Sequence, residues 1–172
     1  MIRRWLKAWA GRLRVRVIEI NGAPYLRRYL VAQAFGCEVY LHEFLTADGE
    51  RHLHDHPWRW SFSVLLAGGY VEEVLRHVDG YAGPVTSFRT HHAPALNITG
   101  RGFHRIARME ATTWTLFVVG PRSKMWGFLE YREDLGGSVY FQPFAYDRAA
   151  DPLDWSDKPR GRDLVGGAHG AL

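Results

Sequence analysis

At 172 residues, with 47% hydrophobic and 23% charged side chains, the chain has the size and composition of one water-soluble globular domain with a real core. Its net charge of +4 comes from residues 1–16, where Arg3, Arg4, Lys7, Arg12, Arg14 and Arg16 meet no acid; the rest is slightly acidic, which argues against nucleic acid as a partner. No apolar run approaches the ~20 residues of a membrane-spanning helix, and the basic start lacks a following apolar stretch, so neither a span nor a signal peptide is expected.

Residues 2–13 predict a short helix. Ile2, Trp5, Leu6, Trp9 and Leu13 recur at spacings of three and four, with Arg3, Arg4, Lys7 and Arg12 largely elsewhere. So short a helix is marginal alone. It is expected to pack its tryptophan face on the domain; the alternative is a basic amphipathic helix on an anionic membrane surface. The same helix is a candidate contact for a homodimer. Residues 1–14 are therefore set apart as an N-terminal helical segment.

Residues 15–144 read as strands. Val15 to Ile20 leads to the turn Asn21-Gly22, and Tyr25 to Val31 completes a hairpin. Glu38 to Leu45 follows, closed by Ala47-Asp48-Gly49. His52 to Trp60, Phe62 to Leu66 and, after Gly68-Gly69, Tyr70 to Val78 come next, with Asp79-Gly80 as a turn. Val85 to Thr90, Ala95 to Thr99, His104 to Met109, Thr113 to Val119 and Trp126 to Tyr131 complete the set. Short strands at such spacing predict an all-β sandwich or barrel. The 14% aromatic content, with seven tryptophans, suits large side chains lining an interior. Cys37, within this region, is the single cysteine, which excludes an intrachain disulfide and suits a cytoplasmic setting. Residues 145–172, rich in Asp, Pro and Gly, read as an irregular tail that wraps the surface or is partly disordered.

The densest chemistry lies in His52-Leu53-His54-Asp55-His56-Pro57-Trp58. Along an extended segment, positions 52, 54, 56, 58 and 60 share a face, reading His, His, His, Trp, Trp. Neutral imidazole is the commonest protein ligand for first-row divalent metals. A partner must come from elsewhere, and His104, at the start of a strand after Gly100-Arg101-Gly102-Phe103, is the best candidate.

The His54-x-His56 pair, the later Gly68, and Pro94 followed by Gly100-x-x-x-His104 resemble the two-motif pattern of the cupin superfamily. The closest resemblance is to bacterial and phage cupin-like proteins with a His-x-His-Pro-Trp segment. Their Gly-Gly-Tyr-x-Glu turn, His-Arg pair and Trp-x-Leu-Phe strand leading to Gly-Pro-Arg stand here as Gly68 to Glu72, His104-Arg105, Trp114 to Phe117 and Gly120 to Arg122. The resemblance covers residues 37–132 and implies a single-domain antiparallel jelly-roll β-barrel. It also implies a divalent metal (Fe, Zn, Ni or Mn) on His54, His56 and His104. The glutamate that usually completes the first motif is replaced by Ser61, so a three-histidine site is expected rather than the 2-His-1-carboxylate arrangement.

Around that centre, His42, His52, Trp58, Trp60 and Ser61 are candidates for supporting or cavity positions. Tyr70, Glu72 and Arg105 are candidates for catalytic roles, with Glu72 a displaced ligand or a general base. Arg105 and Arg122 are also candidate anchors for an anionic substrate. His91-His92 is assigned to the surface, and Trp114 and Trp126 to the core; His77 and His169 carry no signal. Three readings of function remain open: a dioxygenase-like metal enzyme acting on a small anionic molecule; a non-catalytic module that binds a metal or small ligand; and a sugar-nucleotide epimerase or isomerase using His104 and Tyr70.

Overall fold

From Arg14 onward the period-two alternation is realised as antiparallel strands. The computed structural model describes residues 1–20, 22–48, 52–79, 83–98, 102–132, 138–143 and 155–165. A helix α1 (Ile2–Ala10) precedes β1 (Arg14–Ile20), β2 (Ala23–Ala34), β3 (Cys37–Phe44), β4 (Leu53–His54), β5 (Ser61–Ala67) and β6 (Gly69–Asp79). Then come β7 (Gly83–His92), β8 (Ala95–Asn97), β9 (His104–Met109), β10 (Thr113–Val119), β11 (Gly127–Arg132) and β12 (Ser138–Pro143), followed by a short 3-10 helix, Gly161–Val165. None of the described helices is long and apolar enough to cross a membrane.

The strands pair as nested hairpins. β6 pairs with β7, β5 with β8, β4 with β9, and β3 with β10. Successive pairs alternate between two six-stranded sheets, β1-β2-β3-β10-β5-β8 and β12-β11-β4-β9-β6-β7. A long hairpin wound in this way is a jelly roll, so the expected fold is the one observed.

The inner face of the first sheet mixes apolar residues, such as Phe44, Leu65 and Phe117, with polar ones. On β5, Ser61 and Ser63 are buried on the inner face while Phe62, Val64 and Leu66 point outward. On β10, Thr113 and Thr115 are fully buried inside, and Leu116 and Val118 lie outside. Helix α1 covers one end of this apolar outer face. Leu6 and Ala10 pack on Val15, Tyr29, Leu41, Ala67 and Trp114.

Three expectations need correction. Tyr29 and Trp114 stack on one another at 6.2 Å and fill the space beneath α1, which leaves room only for Leu6 and Ala10. The tryptophan face is therefore outside, with Trp5 72% exposed. The continuous strand expected over 52–60 is only two residues long. Pro57 lacks an N–H, its carbonyl accepts from Ser123, and the chain turns there before Trp58 bridges to Arg122. Finally, β12 is a strand not anticipated from sequence.

The described part of the tail wraps the first sheet. Trp155 is buried with Tyr40, Trp58, Phe117 and Val119, and the Val15 N–H donates to the Pro159 carbonyl at 2.9 Å. The rest of the expected tail (145–154 and 166–172) and the turn residues Asn21, Gly49, Gly80 and Gly100 lie outside the described residues.

The Gly68-Gly69 turn joins the sheets. Gly68 has φ +83°, and a Cβ there would stand 2.6 Å from Thr113 Oγ1, the hydroxyl that donates to the Gly69 carbonyl and accepts from its N–H. Gly68→Ala combines left-handed strain with this clash. It is expected to lower stability by about 1–3 kcal/mol in urea unfolding, with an unchanged m-value.

Candidate metal centre

The nesting of β4 against β9 brings two distant segments together at one ladder position, His54 opposite His104. His56 lies two residues on, so its ring falls on the same side as His54. Asp55 points the other way and is buried. Its Oδ1 accepts the Gly127 N–H at 2.9 Å, its Oδ2 pairs with Lys124, and its own N–H donates to the Gly127 carbonyl at 3.1 Å. This anchoring holds the His54–His56 segment extended although the strand itself is short.

The three imidazoles converge. Ring centroids lie 5.4 Å apart for His54 and His56, 5.1 Å for His54 and His104, and 4.9 Å for His56 and His104. One ring nitrogen from each lies within 4.8 Å of the others, and the Nε2 atoms of His56 and His104 approach to 2.8 Å. Imidazole nitrogens at roughly 2.0–2.1 Å from one ion are about 3.0–3.4 Å apart, so modest adjustment brings these donors to a shared ion.

Protonation states favour ligation. Burial, with smaller contributions from His104, His54, Arg28 and His42, holds the His56 pKa well below the ordinary imidazole value. Burial alone would raise the Glu72 pKa, but its bond to His104, the charge of that ring and a bond from Asn97 outweigh it, and the net direction is down. Glu72 is therefore a carboxylate and can only accept. His104 Nδ1–H donates to its Oε1 at 2.5 Å, which leaves the Nε2 lone pair facing His56. Asn97 Nδ2 donates to Glu72 Oε2 at 3.1 Å and to the Tyr70 hydroxyl oxygen at 2.9 Å. Glu72 thus fixes the orientation of the His104 ring through its hydrogen bond.

The donors open on a cavity of about 410 Å³ between the sheets, walled by Phe44, Trp58, Tyr70, Phe117 and Trp126 and carrying Arg28, His42 and Arg122. A larger recess of about 640 Å³ lies outside the barrel beside α1, away from the histidines. Arg28 Nε donates to His42 Nε2 at 3.0 Å, and its guanidinium lies 5.1 Å from the Tyr40 ring centre. Burial lowers its pKa, and no ion pair to Arg28 occurs among the described residues. Burial, and secondarily the same guanidinium, holds His42 well below the ordinary imidazole value, hence neutral. Among the described residues, the buried Trp58 indole N–H has no acceptor.

Other sequence candidates are placed differently. His52 is exposed and outside the cavity. Trp60, beyond the Pro57 turn, points outward and stacks on Phe62 at 6.2 Å, 40% exposed. Ser61 is buried, but Ser63 is the serine that lines the cavity. Arg105 pairs with Glu73 at 2.6 Å away from the cavity, because its neighbour His104 takes the inward position. His91 is not on the surface: its Nε2 lies 3.2 Å from Glu72, while His92 does face outward beside Glu110. Trp126 lines the cavity, and Trp114 is core. Two residues escaped sequence reasoning. Arg28 carried a usable signal, a cation alternating with Leu26 and Leu30; Asn97, in a short strand, carried none.

No protein-family model matches the chain, and no curated protein matches it. Among solved structures, the chain is similar to the Fe(II) form of HppE, with 11% identity, 61% of this chain and 55% of that one covered, and a TM-score of 0.44. It is also similar to Streptomyces albus HEPD with 2-hydroxyethylphosphonate and Fe(II) bound, with 15% identity, 63% and 24% coverage and a TM-score of 0.46. A third is Bacillus subtilis oxalate decarboxylase, described for its Mn(II) centres, with 13% identity, 66% and 29% coverage and a TM-score of 0.45. The chain spans about half the length of HppE and about a quarter of the other two.

His56→Ala and His104→Ala are each expected to retain less than about a tenth of the wild-type metal by elemental analysis of untagged protein. Glu72→Ala should weaken affinity about 10- to 100-fold without abolishing it. Wild-type metal content in both histidine variants would reject the assignment.

Proposed function

We propose that the protein is a metal-dependent enzyme of the cupin kind. His54, His56 and His104 hold a divalent ion, with iron(II) the metal proposed, and the substrate is a small anion. The observation that carries this reading is the convergence of three imidazoles on the wall of a cavity that also contains the Arg28 guanidinium. Three neutral ligands leave the ion's double charge unreduced, which favours an anionic co-ligand. Bound there, iron(II) would supply redox chemistry with dioxygen.

The chain's own residues then have distinct tasks. Arg28, held by His42, presents further N–H donors for a carboxylate or phosphonate. Glu72 keeps the proton of His104 on Nδ1. Phe44, Phe117 and Trp126 exclude water and strengthen each of these contacts.

Two other readings each have one supporting observation. Glu72 and Tyr70 are both engaged in hydrogen bonds, which suits a binding module that performs no proton transfer. The Glu72–His104 dyad with Tyr70 in the same cavity suits a metal-free epimerase or isomerase. A cytoplasmic location remains a proposal beside these.

Oxygen uptake by the iron-loaded protein, followed with a panel of small thiols, carboxylates and phosphonates, tests the first reading. Uptake should depend on one member of the panel. Arg28→Gln should raise KM for it at least about tenfold while changing kcat less. Stoichiometric iron without uptake across the panel favours the binding module, and protein that takes up no metal favours the metal-free reading.

A further inference from the structure

Helix α1 packs on the outer face of the first sheet and leaves a recess of about 640 Å³ beside it. Strand register sets the floor. Arg27 on β2, Glu43 on β3 and Trp114 on β10 lie in one row across the sheet. Glu43 is buried there, and its Oε2 accepts from Arg27 Nη1 at 3.1 Å and from the Tyr29 hydroxyl at 3.0 Å. Arg27 and Arg28 are consecutive, so β2 sends one cation to the recess and the next to the metal cavity.

One wall is the flank of α1 and its following turn that carries Lys7, Ala8, Gly11 and Arg12; the facing wall is Gly161, Arg162 and Leu164. The two walls are tied together. The Gly161 N–H donates to the Leu13 carbonyl at 2.9 Å, the Arg162 N–H to the Gly11 carbonyl at 3.2 Å, and Arg160 Nη1 to the Arg12 carbonyl at 2.9 Å. A Cβ at Gly161 would stand 2.4 Å from the Ala10 carbonyl oxygen, so glycine lets this seam close. The recess is therefore preformed. The carbonyls of Gly11, Arg12 and Leu13, whose negative partial charge would oppose an anion at this end of α1, are already engaged.

The side chains around the recess are strongly biased in sign. Lys7, Arg12, Arg27 and Arg162 line it, against the single carboxylate of Glu43, which is committed to Arg27. No ion pair to Lys7 or Arg12 occurs among the described residues, and Arg162 meets Asp163 at 3.8 Å with both side chains more than half exposed. So wide and exposed a pair neutralises little.

We infer that this recess is a second ligand site, separate from the metal centre, for a small polyanion that carries two or more phosphate groups. Three cations from the two walls lack a close counter-charge, more than one singly charged group requires. Arginine forks match phosphate oxygens in pairs, and lysine adds a point charge. The volume lies within the range of small-molecule sites and exceeds what a lone phosphate fills.

Isothermal titration of the full chain with sodium pyrophosphate tests the inference. One equivalent should bind per chain, more weakly as salt is raised. Lys7→Gln and Arg162→Gln should each raise Kd about tenfold or more. Lys7→Arg should keep wild-type affinity, and so should Arg89→Glu, which changes an exposed cation on β7 of the other sheet. Lys7 and Arg162 are exposed, so melting temperatures should match the wild type. Chelation of an ion at the metal centre would give the same heat in every variant, so heat that survives in Lys7→Gln/Arg162→Gln overturns the inference. Absence of pyrophosphate binding overturns it, and so does citrate that binds as tightly as pyrophosphate. Retention on vesicles containing phosphatidylinositol bisphosphate, without binding of free pyrophosphate, also overturns the soluble ligand and gives the recess to a lipid headgroup.

Discussion

One ladder position governs the site. His54 lies opposite His104 only because β4 is paired to β9, and β4 is two residues long. So short a strand cannot hold its own register. The buried Asp55 carboxylate does so by fixing the chain to Gly127 on β11 and to Lys124. A side chain that faces away from the cavity therefore sets the direction of the two that face into it. Glu72 plays the matching part on the other side, fixing the ring of His104 from β6. The donor set is thus held from both sides, by contacts to β11 and β6, the two strands that flank the β4–β9 pair.

The interior of the barrel holds charges of both signs. Arg28 contributes a partly buried positive charge, His42 and His56 are held below the ordinary imidazole value chiefly by burial, Glu72 is the carboxylate committed to His104, and Glu19 and Asp48 also line the cavity. The serines and threonines on the inner faces of β5 and β10 belong to the same pattern, since a polar lining lowers the cost of keeping a guanidinium away from water.

The strand positions were legible because alternation and glycine turns are local properties. Thr113 to Val119 and His104 to Met109 were read to the residue. The pairing of His54 and His56 with His104 came from a family resemblance, since spacing alone does not say which strands meet. What sequence hid depended on context. Period-two logic extended past Pro57 and so put Trp60 in the cavity, where the chain had already turned. The amphipathic pattern of α1 marked an apolar face correctly but did not reveal that Tyr29 and Trp114 would already fill the sheet beneath it. His91 looked like half of an exposed pair because the buried Glu72 that draws it inward lies on the neighbouring strand.

The nested pairing has a consequence for assembly in time. His56 and His104 are 48 residues apart, and between them lie both strands of the β6–β7 and β5–β8 hairpins. Those inner hairpins are the local ones and close first at low entropic cost, while the outer pairs wait for them. The donors therefore meet late, after most of the barrel exists. An ion arriving early would find only the His54–His56 half-site, too weak to direct the chain. The nesting thus offers the complete donor set only on a barrel whose outer β4–β9 pair has closed.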